Sequence, residues 1–403
     1  PQVFQVHDSI FSASFLDVLE TPGHAPNRTM IATALLAPSL LAPRVPRRAQ
    51  IVASASEQRV AIVTGASRGI GRGIAIELGR AGFVVHCVGR SSRSGGQTTE
   101  RAVSTTAGEL TVEATAEAVS AAGGRGVAVQ ADLSAPPADA VEAALVERVA
   151  SAEGRLDVVV CSAYTTPPDL NDAKFRDDFW KQGATMWDAV HGVGLRSVFM
   201  TCCAAAPPMI ETAAATGTTP LVVLVSSFAG KAYTFNVPYG VGKAAVDRLG
   251  SDMALQLKSK GVATTVLYPG VVRTEGNLEM DARGDWAAAS GGLDLGPPFG
   301  ETPAFTGRAL TALLELGGEA LLERSGDVQV VAELARDLDF ADVDGNRPPS
   351  IRSLAFLFPQ FIFPQIEAES GQTVPNWIKE AVPDVLLPWS IFTSGPPPTA
   401  NQD

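Results

Sequence analysis

A glycine-rich turn constrains the fold of this 403-residue chain more than any other feature of its sequence. The turn reads Thr64-Gly65-Ala66-Ser67-Arg68-Gly69-Ile70-Gly71; it follows an apolar run at residues 60–64 and opens an amphipathic stretch at residues 70–80. Glycines permit a sharp backbone bend, and a helix that starts in such a turn directs unpaired N–H groups and its positive dipole end at a phosphate. The segment therefore predicts a strand, a phosphate-binding turn and a helix.

The alternation of apolar runs and helical stretches continues beyond the turn. Apolar runs of strand length recur at residues 83–88, 127–130, 156–161, 221–226 and 262–268, with helical pattern between them. Strands that alternate with helices form parallel sheets covered on both faces. We therefore predict an α/β fold with a doubly wound parallel sheet, Rossmann-like and three-layered, in a single domain.

Two segments of different character flank this domain. We expect a leader over residues 1–56, the Rossmann-like catalytic domain over 57–338 and a C-terminal extension over 339–403. Residues 275–306 are rich in Gly, Ala, Pro and Asp and lack periodicity, which favours a mobile surface loop over the substrate. The extension contains apolar clusters that we expect to pack on the core or on a second subunit. Peripheral contact of this tail with a membrane surface is the alternative.

Residues 30–56 have the composition of a targeting segment. From Met30 onward they contain no acidic residue, are rich in Ala and Ser, and place three arginines after an apolar opening. A secretory signal carries its positive charge ahead of the apolar run, so a transit peptide is favoured. We expect a plastid (chloroplast) location, with the mitochondrion and the cytosol as alternatives; a tail without targeting function is a further interpretation.

Charge and composition exclude several classes of function. The formal net charge of −12 argues against a nucleic-acid partner, because no basic surplus is available to neutralise phosphates. The four cysteines and four histidines show no metal-ligand spacing, so we predict no metal site. No apolar run reaches the roughly 18 residues of a membrane-spanning helix, so we expect no transmembrane span.

The end of the second predicted strand indicates which dinucleotide binds. A site for NAD places an acidic residue there to bind the ribose 2′-hydroxyl. No acidic residue lies between Phe83 and Gly96; the strand ends instead at Arg90, with Arg68 in the turn and Arg93 nearby. A guanidinium pairs with a 2′-phosphate that a carboxylate would repel. We predict NADP(H), and Arg93 fits a simple surface charge better than Arg90 does.

A tyrosine and a lysine carry the predicted chemistry. Tyr239-Gly240-Val241-Gly242-Lys243 places phenol and ammonium four residues apart, on one face of a helix. The ammonium and an oxidised nicotinamide should lower the phenol pKa from about 10 toward neutral, so that Tyr239 can donate a proton to a carbonyl oxygen. Ser227 stands twelve residues earlier, at the end of an apolar run.

Four ordered motifs resemble the short-chain dehydrogenase/reductase family over about residues 58–274: the glycine turn, Ser227, the YxxxK segment and Pro269-Gly270-Val271-Val272-Arg273-Thr274. The segments 235–245 and 342–345 further resemble one branch of that family. The resemblance implies reduction of ketone or aldehyde carbonyls, with Ser227 binding the carbonyl, Tyr239 as general acid and Lys243 beside it.

The resemblance also assigns cofactor contacts. It implies that Asp132 contacts the adenine, although an aspartate capping a helix has the same pattern, and that Thr274 contacts the nicotinamide carboxamide. The full predicted cofactor set is Gly65, Ser67, Arg68, Gly69, Ile70, Gly71, Arg90, Asp132, Leu133, Ala163, Tyr239, Lys243, Pro269, Gly270, Val272 and Thr274.

Two positions depart from the family pattern. Cys161-Ser162-Ala163-Tyr164 stands where the family has Asn-Asn-Ala-Gly, so two bracing amides are absent. The asparagine of the usual catalytic tetrad falls at Gly194, which has no side chain to organise a proton-relay water. We expect a relay through backbone carbonyls or another group; His191 is a candidate, although a lone histidine on a helix is more often structural.

The departures leave alternatives open. One is a catalytically weak or inactive nucleotide-binding homologue with a sensing or assembly role, which the intact Ser227, Tyr239, Lys243 and Thr274 disfavour. The other is an NAD-dependent dehydrogenase working oxidatively, which the absence of an acidic residue after the second strand disfavours. Trp286, Phe299 and Tyr164 predict a bulky apolar carbonyl substrate. The resemblance implies a homo-oligomer formed by helices around residues 186–203 and 239–258.

Overall fold

Apolar runs form the strands, and the segments between them form helices. The computed structural model describes residues 58–93, 103–104, 108–134, 138–167, 175 and 177–393; the predicted leader lies outside these ranges. The strands are β1 (Val60–Thr64), β2 (Val84–Gly89), β3 (Val103–Ser104), β4 (Gly108–Glu109), β5 (Arg125–Gln130), β6 (Val158–Cys161), β7 (Leu221–Val225), β8 (Ala263–Tyr268), β9 (Val271–Val272), β10 (Gly300–Glu301) and β11 (Val328–Val330).

The helices follow the strands in alternation. They are α1 (Gly69–Arg80), α2 (Val112–Ala121), α3 (Ala138–Glu153), α4 (Phe179–His191), α5 (Ser197–Thr216), α6 (Val237–Leu257), α7 (Glu275–Ala282), α8 (Trp286–Ser290), α9 (Pro303–Leu316), α10 (Gly318–Glu323), α11 (Val331–Asp337), α12 (Leu354–Leu357), α13 (Phe363–Ser370), α14 (Asn376–Glu380) and α15 (Trp389–Thr393). A π-helical turn, Gly192–Arg196, joins α4 to α5.

Seven strands form one sheet in the order β11-β8-β7-β6-β1-β2-β5. Every neighbouring pair in it is parallel. The strand order reverses beside β1, and ligands of doubly wound sheets bind at the carboxyl ends of the strands at such a point. The predicted fold class is confirmed. The last strand, β11, was not among the six runs identified from the sequence.

Two buried apolar clusters lie on the two faces of the sheet. One includes Ile74 and Leu78 of α1 with Phe305 and Leu310 of α9. The other includes residues of α3, α5 and α6, Met209 among them. Strands buried on both faces are continuously apolar rather than alternating, which is why the runs were recognisable in the sequence.

Residues 275–306 do not form the loop that composition predicted. They contain α7, α8, β10 and the start of α9. The amide of Asp294 donates to Oε1 of Gln360 at 3.0 Å, and Leu295 is buried against Phe356. The C-terminal extension thus provides the contacts that order the segment. Such distant partners leave no trace in local composition, so the interpretation as a mobile loop was wrong.

The described part of the extension packs on the catalytic domain. The ring of Trp389 lies 5.9 Å from that of Tyr268 and 6.0 Å from that of Phe228. Phe392 contacts Phe228 at 5.3 Å between ring centroids. Helix α15 therefore covers the residue that directly follows Ser227.

Among the described residues, one helical stretch, Phe179–Thr216, is long and apolar enough to cross a membrane by length and composition alone. Its second part, α5, contributes Cys202, Ala205 and Met209 to the buried cluster under the sheet. A core helix of the fold meets the same criteria.

Candidate active site

The glycine turn lies at the carboxyl end of β1, against the end of β6. Gly65 and Gly69 have φ values of +70° and +55°, which side chains rarely adopt. A Cβ on Gly65 would lie 2.8 Å from Cα of Ala163. The hydroxyl of Thr64 accepts hydrogen bonds from the amides of Ser162 and Ala163 at 3.2 and 3.3 Å. Thr64 thus braces the segment in which the family's two amide side chains are missing.

A carboxylate already binds the N-terminus of α1. The amide of Gly69 donates to Oε2 of Glu275 at 2.7 Å, while Arg68 provides no side-chain cap to this helix. The first N–H groups of a helix have no partner within the helix and attract anions. The Glu275 carboxylate therefore shows that the turn accepts an anion, as the pyrophosphate of a dinucleotide requires.

Two of the predicted arginines lie beside the end of β2. Nη2 of Arg68 donates to Oγ of Ser91 at 3.3 Å. Nη2 of Arg90 donates to Oγ1 of Thr165 at 3.0 Å, and Arg90 is exposed. The hydroxyl that Arg90 contacts is neutral, so this contact leaves the positive charge of Arg90 uncompensated.

Arg93 and Asp132 are engaged by their neighbours. Nε of Arg93 pairs with Glu109 at 2.6 Å, and its Nη1 pairs with Glu117. The carboxylate of Asp132 accepts from the amide and the hydroxyl of Ser134 at 3.0 and 2.6 Å. The carboxylate of Asp132 thus closes a local turn with Ser134.

The segment after β8 lies beside the turn. A Cβ on Gly69 would lie 3.5 Å from Cγ2 of Thr274. The hydroxyl of Thr274 accepts from the amide of Asn277 at 3.3 Å and caps α7. The remaining predicted cofactor residues are buried or half-buried: Ser67, Ile70, Gly71, Leu133, Pro269, Gly270 and Val272.

The three predicted catalytic side chains converge. The hydroxyl of Tyr239 donates to Oγ of Ser227 at 3.1 Å, and Nζ of Lys243 donates to the carbonyl of Val225 at 3.0 Å. Asn236 caps α6 by accepting from the amide of Tyr239 at 2.9 Å. The tyrosine therefore stands in the first turn of α6, with Lys243 one turn later.

Burial sets the pKa values of this pair. It raises the pKa of the Tyr239 phenol, against the hydrogen bond to Ser227, which acts to lower it. Burial also lowers the pKa of Lys243 to about 8, with Asp247 acting in the opposite direction. The predicted lowering of the Tyr239 pKa included the charge of a bound oxidised nicotinamide and stays a prediction for the complex; burial of the phenol acts in the opposite direction. A raised pKa keeps on the phenol the proton that a general acid must donate.

The profile of the short chain dehydrogenase family matches residues 59–283. The chain belongs to the short-chain dehydrogenase/reductase family. It is 36% identical over 305 residues to dehydrogenase/reductase SDR family member 1 of Mus musculus, covering 75% of this chain and 88% of that protein. As a member of this family, the chain is an oxidoreductase with an NAD(P)-binding Rossmann-like fold.

Solved structures of other short-chain dehydrogenase/reductases share the fold. A 3-oxoacyl-[acyl-carrier protein] reductase from Brucella melitensis in complex with NAD has a TM-score of 0.54 at 24% identity, covering 68% of this chain and 96% of that one. A 3-oxoacyl (acyl-carrier-protein) reductase from Agrobacterium tumefaciens with NADP bound has a TM-score of 0.52 at 24% identity, covering 68% and 92%. Likeness at this level shows the fold alone.

A buried pair beside the site was not identified from the sequence. Asp247, one turn after Lys243 on α6, accepts a short hydrogen bond from the hydroxyl of Tyr268, and both residues are buried. Trp389 lies against Tyr268. The sequence feature that could have revealed this pair is Asp247 itself, a carboxylate four residues after the lysine of the YxxxK motif. Residues at that spacing are neighbours on one helical face.

The side chain of His191 has a structural role. Its Nε2 lies 3.0 Å from the carbonyl of Pro238, where it donates, and its ring is 3.9 Å from that of Trp187. Burial lowers the pKa of His191. The histidine joins α4 to the start of α6, as the structural interpretation predicted.

Two aromatic residues predicted to meet the substrate pack against the C-terminal extension. Phe299 lies 6.1 Å from Phe356, and Trp286 lies in the same apolar cluster, which also contains Val271. Their contact with the substrate stays a prediction. Tyr164, in contrast, lies 5.8 Å from the ring of Tyr239. No group of three or more His, Cys, Asp or Glu side chains in the described part of the chain is arranged to hold a metal ion.

Proposed function

We propose that this chain is an NADPH-dependent reductase of ketone or aldehyde carbonyls. The observation that carries the proposal is the hydrogen bond of 3.1 Å between the hydroxyls of Tyr239 and Ser227. Two hydroxyls at this spacing can both donate to one incoming carbonyl oxygen, which is the arrangement that stabilises the developing negative charge. A protein that only binds a dinucleotide does not need two hydroxyls in this arrangement.

Each of the three side chains has a separate role in the proposed reaction. Bound NADPH supplies the hydride that forms the new C–H bond at the carbonyl carbon. Ser227 holds the carbonyl oxygen, and Tyr239 transfers its phenolic proton to that oxygen, so that the product is an alcohol. The ammonium of Lys243 stabilises the phenolate that remains, since an opposite charge nearby favours the ionised form. Solvent then returns a proton to Tyr239.

The preference for NADPH is supported by charge at the end of β2. Arg90 donates to the neutral hydroxyl of Thr165, and its guanidinium group is suited to a 2′-phosphate. Arg93 is already neutralised by Glu109 and Glu117.

Aromatic rings around Tyr239 support an apolar substrate. Tyr164, Phe175 and Phe235 lie 5.8, 6.4 and 5.6 Å from its ring. Rings of this kind provide apolar area around a few fixed polar groups, which is the usual composition of a small-molecule site. We therefore favour bulky, weakly polar carbonyls such as quinones and ketosteroids over short polar ones.

The experiment uses the full chain, with oxidation of NADPH and NADH followed over a panel of aldehydes, quinones and ketosteroids. We expect turnover with NADPH, and a loss of about 10²- to 10⁴-fold in kcat for Tyr239→Phe, the range of a general acid. Binding of NADPH should be unchanged in the variant. Tight NADPH binding without any turnover would instead favour the noncatalytic homologue, and a preference for NADH would favour the oxidative dehydrogenase.

The location and the assembly of the protein belong to the same proposal. The composition of residues 30–56 supports import into the plastid; a reporter fused to this segment that stays in the cytosol would refute it.

Homo-oligomer formation is supported by large exposed apolar side chains on α4 to α6, namely Trp187, Phe199, Val241 and Leu255. Exposed apolar side chains that lie together mark contact surfaces, and we propose this role for these four.

A further inference from the structure

The two departures from the family pattern meet in space. Gly194 lies in the π-helical turn between α4 and α5, and Tyr164 follows β6 by three residues. A Cβ on Gly194 would lie 3.2 Å from Cδ2 and 3.6 Å from Cε2 of Tyr164. A side chain at position 194 would therefore be crowded against this ring, and the ring would have to move to admit it. The two positions lie far apart in the sequence and are neighbours in the structure.

The same ring faces the catalytic lysine. Nζ of Lys243 lies 5.6 Å from the ring centroid of Tyr164 and 5.8 Å from that of Tyr239. The two rings meet edge to face at an interplanar angle of 87°. An ammonium within about 6 Å of an aromatic centroid is attracted by the electrons of the ring face. Tyr164 thus contacts both members of the YxxxK motif.

Few other groups in the described structure act on the Lys243 ammonium. Its hydrogen bond goes to the carbonyl of Val225. Asp247, which is bonded to Tyr268, acts on it through charge. The Tyr164 ring is therefore the contact that approaches the ammonium from the side of Gly194.

We propose that Tyr164 is a positioning residue that holds the ammonium of Lys243 beside Tyr239, and that Gly194 is required because the ring needs its space. The inference rests on the proposed reductase activity. It assigns the role of orienting the lysine to an aromatic face that lies beside Gly194, the position where family members have an asparagine.

Two substitutions of Tyr164 separate the ring from its hydroxyl. Tyr164→Phe keeps the aromatic face and should leave kcat within about twofold. Tyr164→Leu keeps apolar volume but removes the face, and should lower kcat by about 3- to 30-fold, the range of a partly desolvated cation–π contact. Tyr233→Leu, at an exposed tyrosine, is the matched control and should have no effect.

A reciprocal pair tests the need for glycine. Gly194→Asn alone should lower kcat, because the amide displaces the ring from Lys243. Tyr164→Gly alone should lower it as well. The double variant Tyr164→Gly/Gly194→Asn restores the family pattern and should recover most of the lost activity, which two independent structural losses would not do.

The pKa of Lys243 provides a readout that does not depend on turnover. It is measured by NMR titration of side-chain-labelled lysine, with the resonance assigned through Lys243→Arg. Because a cation–π contact favours the charged form, Tyr164→Leu should lower this pKa and Tyr164→Phe should not. The proposal is overturned if Tyr164→Leu retains the wild-type kcat and the wild-type pKa of Lys243. It is also overturned if Tyr164→Phe loses as much activity as Tyr164→Leu. If the wild type reduces no carbonyl, the reductase proposal fails, while the titration still decides whether the ring holds the ammonium.

Discussion

The amide of Gly69 donates a hydrogen bond of 2.7 Å to the carboxylate of Glu275, which joins the start of α1 to the start of α7. A cofactor pyrophosphate requires the same N-terminal amides, so the carboxylate and the dinucleotide compete. We expect Glu275→Gln to bind NADPH about 3- to 10-fold more tightly, since a charged acceptor is replaced by a weaker neutral one. Fluorescence titration of NADPH measures the change.

The control for this prediction is Glu279→Gln, which removes the same charge from the same helix; no hydrogen bond of the Glu279 side chain to the turn is seen. It should leave the affinity nearly unchanged. Equal tightening in both variants would show that general charge, and not the contact with Gly69, limits binding.

Cofactor choice should depend on Arg90. Its guanidinium lies at the end of β2 with a hydroxyl as its partner, so Arg90→Ala should reduce kcat/KM for NADPH by about 10-fold, a discounted value for an exposed charge-assisted contact. The value for NADH should change little. Arg93→Ala, which breaks the ion pairs with Glu109 and Glu117, serves as control. A larger loss of kcat/KM for NADPH in Arg93→Ala than in Arg90→Ala would assign the 2′-phosphate to Arg93 instead.

The alkaline limit of activity should depend on Asp247. The pKa of Lys243 is lowered to about 8 by burial, and Asp247 acts to raise it. In Asp247→Asn the ammonium loses this support, so the upper limb of the pH profile of kcat/KM should move to lower pH. Asp252→Asn lies on the same helix, exposed and paired with Arg248, and should leave the profile in place. An unmoved limb in Asp247→Asn would disprove the coupling.

The free energy of unfolding should fall as the pH rises from acidic to mildly alkaline, because of Glu301. This carboxyl group is fully buried against Gly270, and burial raises its pKa to about 8. The folded state then keeps a proton that the unfolded chain releases above its ordinary pKa near 4.5. The stabilisation is therefore complete at acidic pH and is lost as pH rises to about 8, on the order of a few kcal/mol. Glu301→Gln should remove this decline.

Urea unfolding at pH 5.5 and pH 8.5 measures the effect of Glu301. Wild type and the exposed-site control Glu319→Gln should both lose unfolding free energy at the higher pH, while Glu301→Gln should lose less. Parallel losses in all three proteins would mean that another group titrates.

Oligomer formation should depend on the exposed face of α6. Leu255 is 82% exposed, which is unusual for a leucine on a helix of the catalytic domain. Leu255→Arg should shift the protein to a smaller species in sedimentation velocity, because a charge in an apolar contact must be desolvated. The control Leu278→Arg, at an exposed leucine on α7, should not change the size of the species. If neither variant dissociates, the contact between subunits lies elsewhere.

The parts of the fold that the sequence predicted well are those set by local pattern. The run at 60–64 coincides with β1, since a strand buried on both faces is apolar at every position. Ser227, Tyr239 and Lys243 meet as the motif spacing implied. The direction of the Tyr239 pKa depends on how deeply the phenol is buried, which spacing does not report.

The parts that were missed depend on contacts between distant residues. The order in residues 275–306 depends on Gln360 and Phe356, and the contact of Tyr164 with Gly194 becomes visible only when β6 and α5 are placed side by side. From the sequence alone, residues 275–306 were interpreted as a mobile loop, Tyr164 as a substrate contact and Gly194 as the loss of the tetrad asparagine, because nothing in the sequence shows which of them are neighbours.

The packing of Trp389 on Tyr268 and Phe228 ties the C-terminal extension to the catalytic serine. Phe228 directly follows Ser227, so a loosened extension would also loosen the backbone that carries this serine. A proteolytic cut between the catalytic domain and α15 would therefore disturb Ser227 while the sheet and the glycine turn keep their own packing.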